Sequence, residues 1–289
     1  MPTTKNWVAG SRPRTLWTAI APVAVGTAAA SAQGAAAIVP ALLALGVALA
    51  MQIAVNFAND YSDGVKGTDL NRVGPDRLVA TGKATPTQVK RAAYGSFAVA
   101  ALLGIALIVT SGLWWLAPIG LVAIIAAWTY TGSSRPYGYS GWGEISVFVF
   151  FGPVAVLGTE VTQADAISWT GALGSIGVGL YAVSLLMVNN IRDLETDAVT
   201  GKRTLAVQLG DLNARRLFAI TVMLPTVITV IIAFSHPWAL IATVVALPSL
   251  LLAIAMRVTA VVSRMPLVFL GISVVGLVYG ILLAVGIAL

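Results

Sequence analysis

Nine blocks of about 18 or more predominantly apolar residues run through this chain, near 15–32, 36–59, 92–111, 113–131, 143–160, 169–190, 217–234, 238–256 and 267–288. Such a block matches the hydrocarbon core of a bilayer, where a helix satisfies its own backbone hydrogen bonds. The sequence therefore predicts an all-α integral membrane protein of nine transmembrane helices, with residues 1–289 forming a single domain. Composition agrees: 58% of the residues are hydrophobic and 10% charged, and mean hydropathy is +0.91, whereas charge approaches a quarter of a soluble domain. The absence of cysteine excludes disulfide scaffolds, thiolate metal sites and cysteine nucleophiles.

The 17 basic residues test the span count independently of hydropathy. Lys5, Arg12 and Arg14 precede the first block, and Lys66, Arg72, Arg77, Lys83, Lys90 and Arg91 lie between the second and third. Arg135 follows the fourth, Arg192, Lys202, Arg203, Arg215 and Arg216 follow the sixth, and Arg257 and Arg264 follow the eighth. The alternate gaps and the carboxyl end carry none. By the positive-inside rule the basic face is cytoplasmic, the amino terminus lies inside and the carboxyl terminus outside, in a cell (inner or plasma) membrane. The net charge of +6 is thereby a matter of topology. With no dense basic run or interleaved aromatic platform, nucleic acid is not an expected partner.

Seven of the 11 carboxylates gather after just two of the blocks, both on the cytoplasmic face. One segment reads Asn56-Phe57-Ala58-Asn59-Asp60-Tyr61-Ser62-Asp63-Gly64-Val65-Lys66-Gly67-Thr68-Asp69, with Asp76 further on; the other contains Asn189, Asn190, Arg192, Asp193, Glu195 and Asp197, then Gly201, Lys202 and Arg203. If the helices continue, Asn56, Asp60 and Asp63 share one stripe, Asn59 lies one turn before Asp63, and Asn189, Asp193 and Asp197 form a second stripe. Stacked like charges must take up protons or hold cations. Oxygen ligands without His or Cys favour Mg²⁺, which takes one or two carboxylates and completes its shell with water and phosphate oxygens. Lys66, Lys202 and Arg203 then suit the outer oxygens of a diphosphate, a device for neutralising a leaving group. The competing reading is a solvated cytoplasmic rim, which the similar Asn/Asp spacing of the two clusters disfavours.

A third element, Tyr130-Thr131-Gly132-Ser133-Ser134-Arg135-Pro136-Tyr137-Gly138-Tyr139, sets one cation among three tyrosines. Arg135 suits an anionic ring substituent or a phosphate, with Tyr130, Tyr137 and Tyr139 lining a pocket. Glu195 reads as rim, His236 as a loop residue, and Glu160 and Asp165 as solvated acids of the outer face. Gly171, Ser175 and Gly179 recur at four-residue spacing, which admits a close helix neighbour.

Both acidic segments resemble the Asp-rich motifs of the UbiA superfamily of membrane prenyltransferases. Arg12-Pro13-Arg14-Thr15-Leu16, Gly74-Pro75-Asp76-Arg77-Leu78-Val79 and Arg135-Pro136-Tyr137-Gly138-Tyr139 are similar to segments of its 1,4-dihydroxy-2-naphthoate polyprenyltransferase branch. The superfamily pattern has its third acid where this chain has Gly67, so the resemblance moves that role to Asp69. It implies a helical bundle around a lipid-open central cavity, acting on a polyprenyl diphosphate and dihydroxynaphthoate. Asn59, Asp60, Asp63, Asp69, Asn189, Asp193 and Asp197 would hold Mg²⁺, with Asp60, Asp63, Asp193 and Asp197 as the catalytic acids. Lys66, Lys202, Arg203 and Arg135 would bind diphosphate, and Asn56, Tyr130, Arg135, Tyr137 and Tyr139 would line the acceptor cavity. The ring would attack the allylic carbon and lose a proton and CO₂, giving a demethylmenaquinone. A 4-hydroxybenzoate prenyltransferase differs in acceptor and keeps the carboxylate. A cation transporter would place its acids near the membrane midplane, where these blocks have none.

Overall fold

The computed structural model describes residues 2–67, 77–258 and 265–289, and all regular structure among them is helical. A short helix α1 (Thr4–Gly10) and a 3₁₀ turn (Pro13–Thr15) lead into α2 (Trp17–Ala32), followed by α3 (Ile38–Lys66), α4 (Pro86–Ser111) and α5 (Leu116–Thr129). The fifth block is a composite of α6 (Gly143–Val149), a π-helical turn (Phe150–Val154) and α7 (Ala155–Ala164). Then come α8 (Trp169–Arg192), α9 (Leu194–Val199), α10 (Leu205–Ile232), a 3₁₀ stretch (Pro237–Val245) continuing into α11 (Ala246–Val258), and α12 (Met265–Ala288).

Helix ends follow local chemistry. Thr85 and Gln88 form a capping box with Pro86 in the first turn of α4, and Ser168 and Thr204 cap α8 and α10. Gly67 and Gly112 end α3 and α4 with φ of 72° and 73°, a conformation glycine reaches without penalty. Pro118 lies in the first turn of α5, where an N–H has no helical partner to lose, and Pro248 falls where the 3₁₀ stretch gives way to α11. Pro153 falls inside the π turn, where its missing N–H fits the widened hydrogen-bond pattern.

Among the described residues seven helices are long and apolar enough to cross a bilayer, or eight if the pair Thr4–Thr15 and Trp17–Ala32, bent by 49°, forms one crossing. The block expected at 113–131 yields only the 14-residue α5, because its front is taken up by the turn after Gly112 and its end by the tyrosine loop. At ~1.5 Å per residue α5 spans about 21 Å. None of its residues is buried, and it packs mainly against α3 and α4.

The larger core joins α2, α8, α10 and α12 around Tyr181, Phe218 and Tyr279. The Tyr181 and Tyr279 rings lie 4.8 Å apart, and the Tyr181 hydroxyl hydrogen-bonds Ser249 at 2.8 Å, so these buried phenols are satisfied. A second core under the amino-terminal half joins Phe57, Leu78, Val89 and Phe97. Glu160 corrects the expectation of a solvated acid: it is 0% exposed, accepts hydrogen bonds from Gln33 Nε2 at 2.7 Å and Ser168 N at 2.9 Å, and lies against Gly171. It ties α2, α7 and the start of α8 together. Asp165 is exposed as expected.

Candidate active site

The helix α3 runs seven residues past its expected end at Asn59, and this extension carries Asp60, Asp63 and Lys66 beyond the apolar segment. Across from it α8 stops at Arg192, so Asn189 is helical, Asp193 lies at the joint and Asp197 belongs to α9. The second stripe is thus a bent one, continued by the Asp197 N–H donating to the Asp193 carbonyl at 2.7 Å. A backbone hydrogen bond from Lys202 N to Asp197 O at 2.9 Å then folds Lys202 back over the end of α9.

Lys202 joins the two halves. Its ammonium stands 3.8 Å from Asp63 Oδ1, 3.8 Å from Asp197 Oδ1 and 4.5 Å above the centroid of the Tyr139 ring. Asp63, 5% exposed, also accepts a short hydrogen bond from the Tyr139 hydroxyl and pairs with Arg77 Nη2 at 3.5 Å. Lys66 approaches the same ring at 5.2 Å while donating to the Thr131 and Ser133 carbonyls at 2.6 and 3.0 Å. Asn59 Oδ1 accepts from Thr131 Oγ1 at 2.7 Å. Asp193 is held by a two-pronged contact from Arg192, both branches 2.7 Å long.

The remaining expected residues divide. Asp60 does not line the cavity: it is 1% exposed, and its two oxygens accept the Leu78 N–H at 2.8 Å and the Val79 N–H at 3.0 Å. Its carboxylate staples the turn beginning at Arg77 onto α3. Asn56 lines the cavity but is built into the amino-terminal turn, donating to the Ser11 carbonyl at 2.8 Å and Thr15 Oγ1 at 3.1 Å. The stripe read from spacing therefore splits, because distant backbone captures two of its three members. Arg135 and Arg203 are exposed and line neither compartment of the cavity; Arg203 contributes its backbone N–H to the Tyr139 carbonyl at 2.8 Å. Asp69 and Asp76 lie outside the described residues. Glu195 is exposed but stands at the rim of the polar compartment.

The cavity has two adjoining compartments that share lining residues. A polar mouth of about 390 Å³ is bounded by Asp63, Arg77, Tyr139, Asp193, Asp197 and Lys202 among others. Behind it an apolar chamber of about 360 Å³ extends between α2, α3, α4, α5 and the α6–α7 helix, with walls such as Met51, Leu107, Ile119, Phe150 and Val154. Arg12, Asn59, Tyr130, Leu186 and Asn189 line both and mark the junction. Tyr130 and Tyr137 meet edge to face at 5.5 Å, and Tyr137 donates to the Ala126 carbonyl at 2.9 Å, pinning the tyrosine loop to α5. Burial pushes the Tyr137 phenol above its ordinary range, with the Ser146 hydrogen bond partly offsetting it. Burial, and then the neighbouring Glu144 carboxylate, raise Tyr130 as well. Both phenols stay neutral near pH 7.

Sequence reasoning missed three contributors. Arg77 was read as a topological charge and family marker, yet it is 8% exposed and pairs with Asp63. Arg12, with a left-handed φ of 53°, reaches the junction of the two compartments. Glu144 is 4% exposed and accepts from Asn190 Nδ2 at 2.8 Å, which fixes the amide of a mouth residue. The available signal was an arginine before proline and a lone acid at the head of an apolar block.

Among the described residues no three acids converge as ligands for one ion. The donor set nonetheless suits Mg²⁺, which needs only one or two carboxylates beside water and phosphate oxygens. Asp63 and Asp197 already share one cationic group, Lys202, and Asn59, Asn189 and Asp193 add oxygen at the same mouth.

A helical membrane bundle with acids and cations at the mouth of an apolar chamber suits an enzyme whose substrate carries a long apolar chain on an anionic head group. The profile of the UbiA prenyltransferase family matches residues 19–267, and the chain belongs to that family. It is 50% identical over 241 residues to a 1,4-dihydroxy-2-naphthoate octaprenyltransferase of Mycobacterium tuberculosis, covering 83% of this chain and 82% of that one. It is 42% identical over 226 residues to an enzyme of the same name from Escherichia coli, covering 76% and 73%. Its fold is similar to that of a UbiA homologue from Aeropyrum pernix, with a TM-score of 0.70 at 16% identity over 94% of this chain and 97% of that one. It also resembles a UbiA homologue from Archaeoglobus fulgidus bound to DMAPP and Mg²⁺, with a TM-score of 0.65 at 14% identity over 96% and 99%. The protein is thus a multi-pass membrane enzyme of the prenyltransferase class.

Proposed function

We propose that this enzyme transfers a polyprenyl group from a polyprenyl diphosphate to 1,4-dihydroxy-2-naphthoate, releasing diphosphate and CO₂, as a step of menaquinone synthesis. The observation that carries the reading is Lys202 bridging Asp63 and Asp197 at the charged end of an apolar chamber. The names of the relatives from M. tuberculosis and E. coli support the acceptor.

In this reading the prenyl chain lies in the chamber and the diphosphate in the mouth. Asp63, Asp197, Asp193, Asn59 and Asn189 hold Mg²⁺, which supplies Lewis-acid neutralisation of the leaving diphosphate. Arg77 and Lys202 donate to its outer oxygens, while Lys66, exposed and outside the lining of both compartments, is held on the Thr131 and Ser133 carbonyls at the edge of the mouth. Asp60 acts as a positioning residue: by fixing the 78–79 backbone it sets Arg77 against Asp63. Tyr130 stands at the junction, where the allylic carbon and the acceptor ring meet. The C–O bond breaks with its electron pair leaving on the diphosphate, the ring carbon forms its bond to the allylic carbon, and loss of the carboxylate as CO₂ restores the aromatic quinol, with a displaced ring proton returned to the decarboxylated carbon. The apolar walls keep water from capturing the allylic cation.

The single domain crosses the membrane nine times, the bent pair and α5 each making one crossing, with the basic face and the mouth cytoplasmic. The test is turnover by the purified protein in lipid with Mg²⁺, a polyprenyl diphosphate, and either dihydroxynaphthoate or 4-hydroxybenzoate, read by product mass and CO₂ release. A product that retains the carboxylate, or preference for the benzoate, overturns the assignment.

A further inference from the structure

Three glycines line the apolar chamber from three different helices: Gly104 of α4, Gly120 of α5 and Gly158 of α7. Glycine inside a helix weakens it relative to alanine, and elsewhere in the bundle it admits a close neighbour. A Cβ on Gly152 would stand 2.6 Å from the Ser175 carbonyl oxygen, and one on Gly280 would stand 2.4 Å from Ala21 Cβ. The three lining glycines admit nothing of the kind. A Cβ on Gly120 or Gly158 meets no atom within 4 Å, and one on Gly104 meets only Val47 Cγ2 at 3.9 Å. Gly95 is equally open but does not line the chamber; Gly120 is exposed as well, yet it does line it.

All three lie at the end remote from the charges. Gly158 is some 20 Å along the α6–α7 helix from Glu144, at ~1.5 Å per residue. Val47, the neighbour of Gly104, is about 18 Å along α3 from Asn59 by the same measure. Gly120 lies near the start of α5, whose opposite end leads into Tyr130 at the mouth. Three absent side chains thus widen one region of the cavity.

We propose that Gly104, Gly120 and Gly158 set the prenyl chain length the enzyme accepts, by leaving room for the distal isoprene units of a long donor. The inference rests on the chamber being the prenyl site. A side chain at any of the three positions fills that space, and it excludes long chains while sparing short ones. Geranyl diphosphate, with eight main-chain carbons, reaches only about 10 Å at ordinary bond lengths and stops short of the glycines.

The test measures kcat/KM of the full chain in nanodiscs with geranyl and octaprenyl diphosphate, for wild type and for Gly158→Ala, Gly158→Val, Gly158→Leu and Gly120→Leu. In Gly158→Leu the octaprenyl value falls about tenfold or more, the scale on which pockets discriminate added methylenes, while the geranyl value stays near wild type. The loss grows from alanine through valine to leucine. Retained geranyl turnover certifies the fold of each variant. An unchanged ratio of the two donors across the series, or a parallel fall for both beginning with Gly158→Ala, overturns the proposal. Wild type that uses neither donor overturns the prenyl reading itself and is scored before any variant.

Discussion

Replacing Asp60 by asparagine separates a staple from a ligand. Each Asp60 oxygen accepts one backbone N–H, from Leu78 at 2.8 Å and Val79 at 3.0 Å, in a site 1% exposed. Asparagine keeps one carbonyl oxygen and turns an NH₂ toward the other N–H, so one donor faces a donor. Losing a hydrogen bond to a charged acceptor costs about 1.5–3 kcal/mol, and the N–H left buried and unmet costs about 1–3 kcal/mol, partly the same loss counted twice. A destabilisation of about 2–4 kcal/mol follows. At roughly 2 °C per kcal/mol for a chain of this size, the apparent unfolding midpoint in detergent drops by about 4–8 °C. Turnover per folded molecule falls through Arg77, whose turn loosens, while the Mg²⁺ concentration giving half-maximal rate stays near that of wild type. A variant with the wild-type midpoint and a many-fold higher Mg²⁺ requirement refutes the staple and returns Asp60 to the ligands.

Asp63→Ala removes the group shared by Arg77, Tyr139 and Lys202, and kcat falls by about 10²–10³, the scale of losing one preorganised electrostatic contact; retention of more than a tenth of the activity counts against its role. Tyr139→Phe keeps the ring under Lys202 but deletes the hydroxyl donated to Asp63, and kcat/KM falls about tenfold, measured with saturating acceptor. EDTA abolishes turnover and Mg²⁺ restores it, whereas activity that persists in the chelator removes the metal from the mechanism.

Seven of the expected spans were legible, eight with the bent pair at the amino terminus, because a bilayer imposes one length on every helix it contains. The extent of α3 was legible only conditionally, since the stripe of Asn56, Asp60 and Asp63 required a helix continuing past the apolar block, and the helix does continue to Lys66. Within that extension spacing gave the stripe correctly but not its use. Asp60 and Asp63 share a face by helical geometry, yet the turn beginning at Arg77, which captures Asp60, comes from a segment whose path no local pattern reveals. The same holds for Arg77 itself, whose charge fits a topological role as well as a pairing one. Glu160 misled for a related reason: an acid at the outer end of a span reads as wet, and only the approach of Gln33, Ser168 and Gly171 makes it dry. Tyr139 was legible as a pocket residue, and its hydroxyl contact to Asp63 was not.

The short helix α5 forms one wall of the chamber. On the proposed crossing by α5, about 21 Å of helix would meet a hydrocarbon layer of ~30 Å, and the acyl chains beside it would compress or tilt, at a cost of fractions of a kcal/mol per ångström. Membrane composition thereby becomes a variable of the enzyme. Thicker, stiffer bilayers resist the dimple and strain α5 and the tyrosine loop that follows it, while thinner and more fluid ones relax both.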